Sequence, residues 1–318
     1  MDIDFLLWLQ GVRQTAAPAI QAFFTFMGSE AAMAVAMVVP CLIYWCLDKA
    51  CGQFALLAYG SSTVFNQLVK NTVCAYRPWV RDTRIVPDPA ALAGAGGYSF
   101  PSGHTQSSAS MLSAVALRWR ERRWVAVVCA LFTLLIGFSR NFLGVHTPQD
   151  VVVGLIEGCA FVALTNRVLP WIEAKEGRDA QVTVAGVLAT VLFLVFVTVK
   201  PYPLDYADGQ LLVNPADMID SCYKAAGAFL GILLGWFVER RYVRFQAGGL
   251  TVAEGIARLV VGGLLTLCAY KLVGGAAVAL GGAYAGELVK HVVAFFTAVA
   301  AAPAVFGRLH GLFSHEAR

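Results

Sequence analysis

The chain has 318 residues, of which 58 % are hydrophobic and 14 % charged, and its mean hydropathy is +0.66. A soluble domain carries about 25 % charged residues, so this composition excludes an ordinary soluble protein and predicts a chain that crosses the membrane several times. The net charge of +4 is small and gives no reason to expect a nucleic-acid partner.

The cysteines carry no pattern of a cofactor site. Eight of them are scattered along the chain, and no two have the Cys-x-x-Cys spacing that is typical of zinc, iron–sulfur or thioredoxin-like chemistry. We therefore expect no metal and no other cofactor. The first four residues lack the basic segment of a signal peptide, so the N-terminus is interpreted as mature.

Nine apolar segments approach the roughly 20 residues that a helix needs to cross the hydrocarbon core. They are Ala31–Leu47, Gly52–Val69, Thr105–Leu117, Trp124–Ser139, Val151–Trp171, Val182–Val199, Ala225–Val238, Leu259–Tyr270 and His291–Phe306. The third, seventh and eighth are short and need flanking residues, such as the long cations Arg258 and Lys271, to complete a span.

Residues 3–26 precede these segments and mix aromatic and aliphatic residues with Asp4, Arg13 and Gln14. This mixture is typical of a helix that lies in the membrane interface, and a tenth span is the alternative. The predicted fold is therefore an all-α integral membrane bundle of about nine transmembrane spans with an N-terminal interfacial helix.

Basic residues in short loops predict the orientation, because Lys and Arg accumulate on the cytoplasmic side. The strongest signal is the run Arg118, Arg120, Arg122 and Arg123 between the third and fourth segments. If this run is cytoplasmic, alternation places further basic residues on the same side, namely Lys175, Arg178, Arg240, Arg241, Arg244, Arg308 and Arg318. Residues 70–100 and 139–150 then face the extracytoplasmic side, where their arginines violate the rule unless they bind anions.

Three polar clusters fall at helix ends on this extracytoplasmic side. They are Lys70-x6-Arg77-Pro78, Pro101-Ser102-Gly103-His104, and Ser139-Arg140-x5-His146-x3-Asp150. Ionisable groups are expensive in a membrane segment, so we expect the clusters to meet in one polar pocket.

Each cluster also has chemistry suited to an anion. Two arginines and a lysine match phosphate oxygens, and Ser102 and Gly103 open a helix whose free N–H groups attract negative charge. Thr147, Pro148 and Asp150 have the pattern of a helix cap, a first-turn proline and a first-turn acid. His146 would then lie just before a helix, with Asp150 within reach of its ring.

The order and spacing of these clusters resemble the three-part signature of the type 2 phosphatidic acid phosphatase superfamily, the lipid phosphate phosphatases, whose fold is shared with vanadium haloperoxidases. Every signature position is present, and about eleven fixed positions in three ordered blocks are far more specific than a single short motif. The resemblance covers about residues 1–199, which we interpret as a membrane phosphatase core of about six helices. Residues 200–318 are expected to add three spans of unknown role.

The resemblance implies a metal-free, two-step phosphoryl transfer. His146 would attack phosphorus and carry a phosphohistidine, Asp150 would fix the tautomer of His146, and His104 would protonate the leaving oxygen and then activate water. The implied phosphate-binding residues are Lys70, Arg77, Ser102, Gly103 and Arg140.

The expected activity is hydrolysis of a lipid phosphate monoester or an isoprenoid diphosphate at the extracytoplasmic face of a bacterial inner (plasma) membrane, with an amphiphilic phosphate-bearing lipid as the partner. The alternatives are a soluble sugar phosphate as substrate, or a lipid-binding or lipid-transporting protein with vestigial catalysis. A vanadate-dependent haloperoxidase is disfavoured because those relatives are soluble. The residues do not indicate an oligomeric state.

Other polar residues in apolar segments have structural interpretations. Glu157 is predicted to make a structural hydrogen bond, with proton handling as the alternative. Glu287, Lys290 and His291 share a helix face and are predicted to form an intrahelical ion pair. Asn66 and Gln67 lie one turn before Lys70 and are predicted to orient it.

Overall fold

The computed structural model of the protein describes residues 2–92, 94–207 and 209–307, and about 80 % of the structure is helical. Arg308 and Arg318, which the charge pattern predicts to be cytoplasmic, lie outside the described residues. The helices up to residue 142 are α1 (Asp2–Thr15), α2 (Pro18–Met27), α3 (Glu30–Leu42), α4 (Lys49–Val73), α5 (Pro78–Arg81), α6 (Pro89–Leu92), α7 (Gly103–Arg118) and α8 (Arg123–Phe142).

The rest of the described chain is also helical apart from one small hairpin. Its elements are α9 (Pro148–Glu173), α10 (Arg178–Val199), the antiparallel strands β1 (Tyr206–Ala207) and β2 (Gln210–Leu211), α11 (Pro215–Val238), α12 (Val252–Cys268) and α13 (Gly274–Phe296). In the strand pair, Tyr206 lies opposite Leu211. Four π-helical turns continue α3, α11, α12 and α13, namely Ile43–Leu47, Glu239–Val243, Ala269–Val273 and Thr297–Ala301.

Within the described residues, six segments are long and apolar enough to cross a membrane. They are Glu30–Leu47, Arg123–Phe142, Pro148–Glu173, Arg178–Val199, Pro215–Val243 and Val252–Gly307. The first five each contain one predicted span, and the sixth contains two, Leu259–Tyr270 and His291–Phe306. The helical membrane fold is therefore confirmed, whereas the count of nine spans is not.

The predicted spans Gly52–Val69 and Thr105–Leu117 lie on α4 and α7, which are not among the six segments. Both helices bury polar side chains, among them Asn66 on α4 and Gln106 on α7. A helix enclosed by other helices needs no continuous apolar face toward lipid, because its polar groups can bond inside the bundle. The composition of such a helix therefore does not reveal whether it spans the membrane, and α7, with 16 residues, is also shorter than each of the six segments.

Two glycines on α9 let it approach the backbone of α7. A Cβ atom at Gly154 would lie 2.6 Å from the carbonyl oxygen of Ser102, and one at Gly158 would lie 2.7 Å from the carbonyl oxygen of Gln106. Small residues at helix contacts permit this close packing. The first turn of α7 is thereby pressed against the first turns of α9, which brings two of the three polar clusters together.

Gly282 divides Val252–Gly307 into two arms. Its φ of 75° and ψ of −178° belong to a region that is essentially restricted to glycine. Gly286 packs against Val278 and Gly274 against Lys290, so the arms lie side by side and run in opposite directions. The last two predicted spans are thus the arms of one helical hairpin.

The second arm of the hairpin, residues 283–307, packs closely on α11, which presents three glycines to it. Cβ atoms at these glycines would lie 2.5–2.9 Å from atoms of that arm, and the three are Gly227, Gly231 and Gly235. The N-terminal part joins this contact, because Tyr44 Oη and Trp45 Nε1 donate to the carbonyl oxygens of Val299 and Ala298 at 2.7 and 2.8 Å. The division into a core of residues 1–199 and a region of residues 200–318 stays a prediction.

The N-terminal residues form two helices where one interfacial helix was predicted. They have 14 and 10 residues, fewer than the roughly 20 that a span needs. The break occurs because Pro18 has no N–H to continue α1 and is suited to begin α2. Arg13 donates to the carbonyl oxygen of Phe142 at 3.1 Å and to that of Val86, which ties α1 to the end of α8.

Candidate active site

The start of α9 fixes the position of His146. Thr147 caps the helix, since its hydroxyl accepts from the Asp150 N–H while the Asp150 carboxylate accepts from the Thr147 N–H at 2.8 Å. This reciprocal capping box and the first-turn Pro148 confirm the predicted cap. The Asp150 Oδ2 atom also lies 3.2 Å from Nδ1 of His146. One carboxylate thus begins the helix and orients the imidazole.

The other ring nitrogen of His146 faces a predicted phosphate ligand. Nε2 lies 2.9 Å from Nη1 of Arg77. Because a guanidinium can only donate, Nε2 is assigned as the acceptor and Nδ1 as the protonated nitrogen that donates to Asp150. Asn141 Nδ2 also donates to the backbone carbonyl oxygen of His146 at 2.9 Å. The lone pair of Nε2 therefore points at the site where the cations gather.

The surroundings of His146 keep its imidazole neutral. Burial, followed by the positive charge of Arg77, holds its pKa well below the ordinary value of 6.5, against the opposing hydrogen bond and charge of Asp150. The side chain is only 2 % exposed. In this neutral, fixed form Nε2 has the lone pair that a nucleophile needs, and Arg77 donates to it at 2.9 Å.

Lys70 binds the loop that precedes α7. Its ammonium donates to the carbonyl oxygens of Tyr98, Ser99 and Pro101 at 3.1, 3.3 and 2.8 Å. These three bonds use all its hydrogens, so toward a phosphate Lys70 contributes positive charge rather than a free donor.

Arg77 makes similar contacts further back in the same loop. Its Nε and Nη2 atoms donate to the carbonyl oxygens of Gly97 and Gly96 at 3.1 and 3.0 Å, and its Nη1 atom donates to Val145 at 2.9 Å. Its guanidinium thus joins the loop before the second cluster to the third. The three sequence clusters meet here because the buried cations Lys70 and Arg77 need oxygen partners, and the loop of residues 96–101 supplies its carbonyl oxygens.

Arg140 and His104 retain nitrogen atoms without a hydrogen-bond partner. Arg140 donates to the carbonyl oxygens of Gly28 and Gly94, but its Nε atom is buried and unpartnered among the described residues, and so is Nε2 of His104. Buried polar atoms are rarely left without a partner. Arg140 Nε therefore marks a place suited to an oxygen-rich anion, whereas His104 Nε2 faces the Glu30 carboxylate at 3.4 Å.

Ser102 and Gly103 form the turn that begins α7. The Ser102 hydroxyl oxygen accepts from the hydroxyl of Thr105 at 2.9 Å and caps the helix. The Ser102 N–H donates to the carbonyl oxygen of Asp150 at 2.9 Å, and this backbone bond joins the second cluster to the third. Because Ser102 is the cap of α7, this bond places the first N–H groups of α7, which have no partner within the helix, beside the start of α9.

The structure thus brings all eight predicted site residues to one end of the bundle. In doing so it uses residues that the motifs do not contain. The Ser99 hydroxyl donates to Oδ2 of Asp150 at 2.5 Å, and the Glu30 carboxylate lies 3.4 Å from Nε2 of His104. Ser99 and Glu30 are ordinary residues in sequence, and no spacing rule connects either of them to its partner.

The prediction for Asn66 and Gln67 was wrong, because neither orients Lys70. Asn66 Nδ2 donates to the Glu157 carboxylate at 2.7 Å, while Gln67 contacts Asn71. The Asn66 contact confirms the predicted structural hydrogen bond of Glu157.

One further prediction can be compared with the side-chain contacts. Lys290 Nζ lies 3.0 Å from the Glu287 carboxylate, so the predicted ion pair within the last hairpin arm is confirmed. Across residues 2–92, 94–207 and 209–307, no group of three or more His, Cys, Asp or Glu side chains is arranged to hold a metal ion.

Two family models match the chain. One, described as the PAP2 superfamily, matches residues 53–173, which include every predicted site residue. The other, described as the transmembrane extension of PAP2 superfamily phosphatases, matches residues 223–315. Together they span about two thirds of the chain. The chain belongs to the PAP2 superfamily. The second match relates much of the region beyond residue 199 to this family, although inspection of the sequence of that region had shown no resemblance to it.

Curated relatives of this PAP2 protein match it in part. Phosphatidylglycerophosphatase B of Bacillus subtilis (strain 168) is 29 % identical over 34 % of the chain, and the match spans 52 % of that relative's length. Undecaprenyl-diphosphatase BcrC of the same strain is 28 % identical over 48 % of the chain and 79 % of its own length. Phosphatidylglycerophosphatase B of Escherichia coli (strain K12) is 44 % identical over 22 % of the chain and 28 % of its own length. No solved structure matches the chain significantly.

Proposed function

We propose that this PAP2 protein is a metal-independent phosphatase that hydrolyses a lipid phosphate monoester or an isoprenoid diphosphate through a phosphohistidine on His146. The observation that carries this proposal is the arrangement of His146, whose Nδ1 faces Asp150 and whose Nε2 faces Arg77. This arrangement leaves the lone pair of a neutral imidazole directed at a cluster of cations, where a phosphate would bind.

In the first step, Nε2 of His146 attacks phosphorus, an N–P bond forms, and the bond to the leaving oxygen breaks. His104 gives its proton to the leaving oxygen, because an alkoxide would otherwise leave poorly. Asp150 stabilises the positive charge that develops on the His146 ring. In the second step, His104 takes a proton from water, whose oxygen attacks phosphorus and breaks the N–P bond, and inorganic phosphate is released.

The cations have different tasks in this scheme. Arg140 Nε is a buried donor without a partner and would bond a phosphate oxygen directly. Arg77 would turn a donor from His146 toward the phosphate, and Lys70 would act through its charge while it holds the loop before Ser102. Together with the Ser102 hydroxyl and the Gly103 N–H, these groups would stabilise the charge on the equatorial oxygens in the transition state.

Two observations support an amphiphilic substrate. The site lies at the ends of helices that are apolar enough to cross a membrane, and Phe23 and Phe26 are exposed on α2, just before Gly28, whose carbonyl oxygen binds Arg140. Relatives named for phosphatidylglycerophosphate and undecaprenyl diphosphate favour a lipid over a soluble sugar phosphate.

The proposed location of the site is the extracytoplasmic face of a bacterial inner membrane. α7 runs from Gly103 at the site to Arg118, where the arginine-rich turn begins, so the site and this turn lie at opposite ends of one helix. Because such turns face the cytoplasm, the site faces outward. In a variant whose eight native cysteines are replaced by alanine, a cysteine at Asp82 should react with a membrane-impermeant maleimide in intact cells, and one at Glu121 only after lysis. The reverse pattern would contradict this orientation.

The decisive test of the activity is phosphate release in detergent from a panel of lipid phosphates, isoprenoid diphosphates and sugar phosphates with a chelator present. We expect turnover of at least one lipid without added metal, and none by His146→Asn. The Ser113→Ala variant, which alters an exposed contact away from the site, is the control. Strict metal dependence or an active His146→Asn variant would contradict the mechanism, and binding of lipid without turnover would favour the transport alternative.

A further inference from the structure

Glu30 is a carboxylate beside the proposed proton donor. It is the first residue of α3, and the Ser29 side chain caps this helix by accepting from the Ala32 N–H at 3.2 Å. The Oε1 atom of Glu30 lies 3.4 Å from Nε2 of His104. A Cβ atom at position 94 would lie 2.8 Å from the same carboxylate oxygen, so Gly94 leaves the space that Glu30 occupies.

Glu30 brings a negative charge to a histidine that is otherwise surrounded by cations. His104 faces the charges of Arg140, Arg77 and Lys70 and the ring of His146, and Glu30 adds a negative charge at its Nε2 atom. The Glu30 side chain is 71 % exposed whereas that of His104 is 12 % exposed, so the carboxylate lies at the mouth of the site. Glu30 also lies outside residues 53–173, which the superfamily model matches.

In the proposed reaction this mouth is the side of the leaving group, because His104 gives its proton to the leaving oxygen. The two candidate substrates differ at this point. A monoester releases a neutral alcohol, and it needs the proton because an alkoxide leaves poorly. A diphosphate releases a phosphate monoester, which is an anion and leaves without full protonation. A carboxylate next to the leaving group repels the anion.

We propose that Glu30 determines substrate specificity by favouring phosphate monoesters over diphosphates. This inference rests on the proposed function, because it takes His104 as the residue that protonates the leaving oxygen. It narrows the substrate class to a phosphate attached to a neutral lipid alcohol, and it assigns the selection to electrostatic repulsion at the mouth of the site.

Farnesyl phosphate and farnesyl diphosphate test this inference, because they carry the same chain and differ by one phosphate. The ratio of kcat/KM for the diphosphate to kcat/KM for the monophosphate is measured for the wild type and for Glu30→Gln. Neutralising one charge near a second charge in a partly exposed site should raise this ratio about tenfold. Glu30→Asp keeps the charge and should stay near the wild-type ratio.

The matched control is Glu121→Gln, which neutralises an exposed carboxylate in the turn after α7 and should leave the ratio unchanged. A thermal unfolding measurement on each variant separates misfolding from specificity, and Glu30→Ala, which also removes the charge, should repeat the Glu30→Gln ratio. An unchanged ratio in both neutral variants, or an equal change in Glu121→Gln, would overturn the inference. If the wild type releases phosphate from neither substrate nor from any other lipid phosphate, the proposed function itself fails.

Discussion

The two histidines of the site are held in very different ways. His146 has a partner at each ring nitrogen and a third at its carbonyl oxygen, and it is almost fully buried. His104 has a ring nitrogen without a hydrogen bond and lies near an exposed carboxylate. The difference corresponds to the proposed roles, because a nucleophile needs one tautomer and one direction, whereas a proton donor must serve the leaving oxygen and then water.

The side of the site around His146 has additional supporting hydrogen bonds through Asp150. Asp150 accepts hydrogen bonds from Ser99 and from the Thr147 N–H while it faces His146. Such supporting contacts fix a catalytic side chain more precisely than packing alone. We therefore expect changes to the partners of His146 to have large effects on the rate, and changes to Glu30 beside His104 to alter which substrate is preferred.

The largest effect after loss of His146 itself is expected for Asp150→Asn. An asparagine can donate to Nδ1, which would place the proton on Nε2 and remove the lone pair that attacks phosphorus in the proposed reaction. The single-turnover rate should fall by about 10⁴-fold, as for the equivalent change in a Ser-His-Asp triad. Thermal unfolding of the purified variant is the control for folding, and a loss of less than about tenfold in a folded variant would contradict the assigned tautomer.

A smaller effect is expected for Ser99→Ala, which removes one hydrogen bond from Asp150 and leaves the others. The loss of one bond to a charged acceptor should lower kcat about tenfold, with little change in KM because Ser99 donates to Asp150 rather than to a phosphate. Steady-state kinetics beside the Ser113→Ala control tests this. A variant in which KM rises and kcat does not change would show that Ser99 binds substrate instead.

The pH dependence should reflect the buried, neutral state of His146. Its pKa lies below the ordinary 6.5, so the nucleophile is active above this lowered pKa and is lost only as the pH falls through it. The acidic limb of kcat/KM that belongs to the enzyme should therefore lie below pH 6.5. Profiles for two substrates whose phosphates have different second pKa values separate the two contributions. The limb caused by the enzyme stays at the same pH, whereas the limb caused by the substrate moves with the pKa of its phosphate. An enzyme limb above the ordinary histidine pKa would contradict the prediction.

The smallest effect on catalysis is expected for Glu157, whose carboxylate bonds Asn66 and none of the predicted site residues. Glu157→Ala leaves the buried Asn66 amide without its partner and should lower the free energy of unfolding by about 1–3 kcal/mol. Glu157→Gln keeps an acceptor for Asn66 and should lose less. Unfolding of both variants in the same detergent makes the comparison. Equal stability of Glu157→Ala and the wild type would show that this pair contributes nothing to the fold.

The part of the site that the sequence predicts best is local in the chain. Thr147, Pro148 and Asp150 lie within one helical turn, so their spacing alone predicts the cap and the approach of Asp150 to His146. The partners of Lys70 were not predictable in this way, because they are backbone carbonyls of a loop that folds back over α4. Asn66 was assigned to Lys70 by its distance along one helix, but its actual partner is on α9.

The fold shows the same limit. Helices that face lipid have an apolar composition that identifies them, and the segments on α8, α9 and α10 were predicted close to their observed bounds. α4 and α7 lie inside the bundle and carry polar residues of the site, so their hydropathy does not determine whether they span the membrane. The place of the reversal between the last two predicted spans was not assigned from the sequence, because that stretch contains two Gly-Gly pairs, Gly274-Gly275 and Gly281-Gly282, and either pair can break a helix.

The central claim is that His146 becomes phosphorylated, and rapid quenching with a ³²P-labelled substrate tests it most directly. The wild-type protein, quenched in alkali during turnover, should carry label that is stable to alkali and labile to acid, and the labelled peptide should contain His146. His146→Asn should carry no label and release no phosphate. Label on another residue, or turnover by a folded His146→Asn protein, would contradict the account.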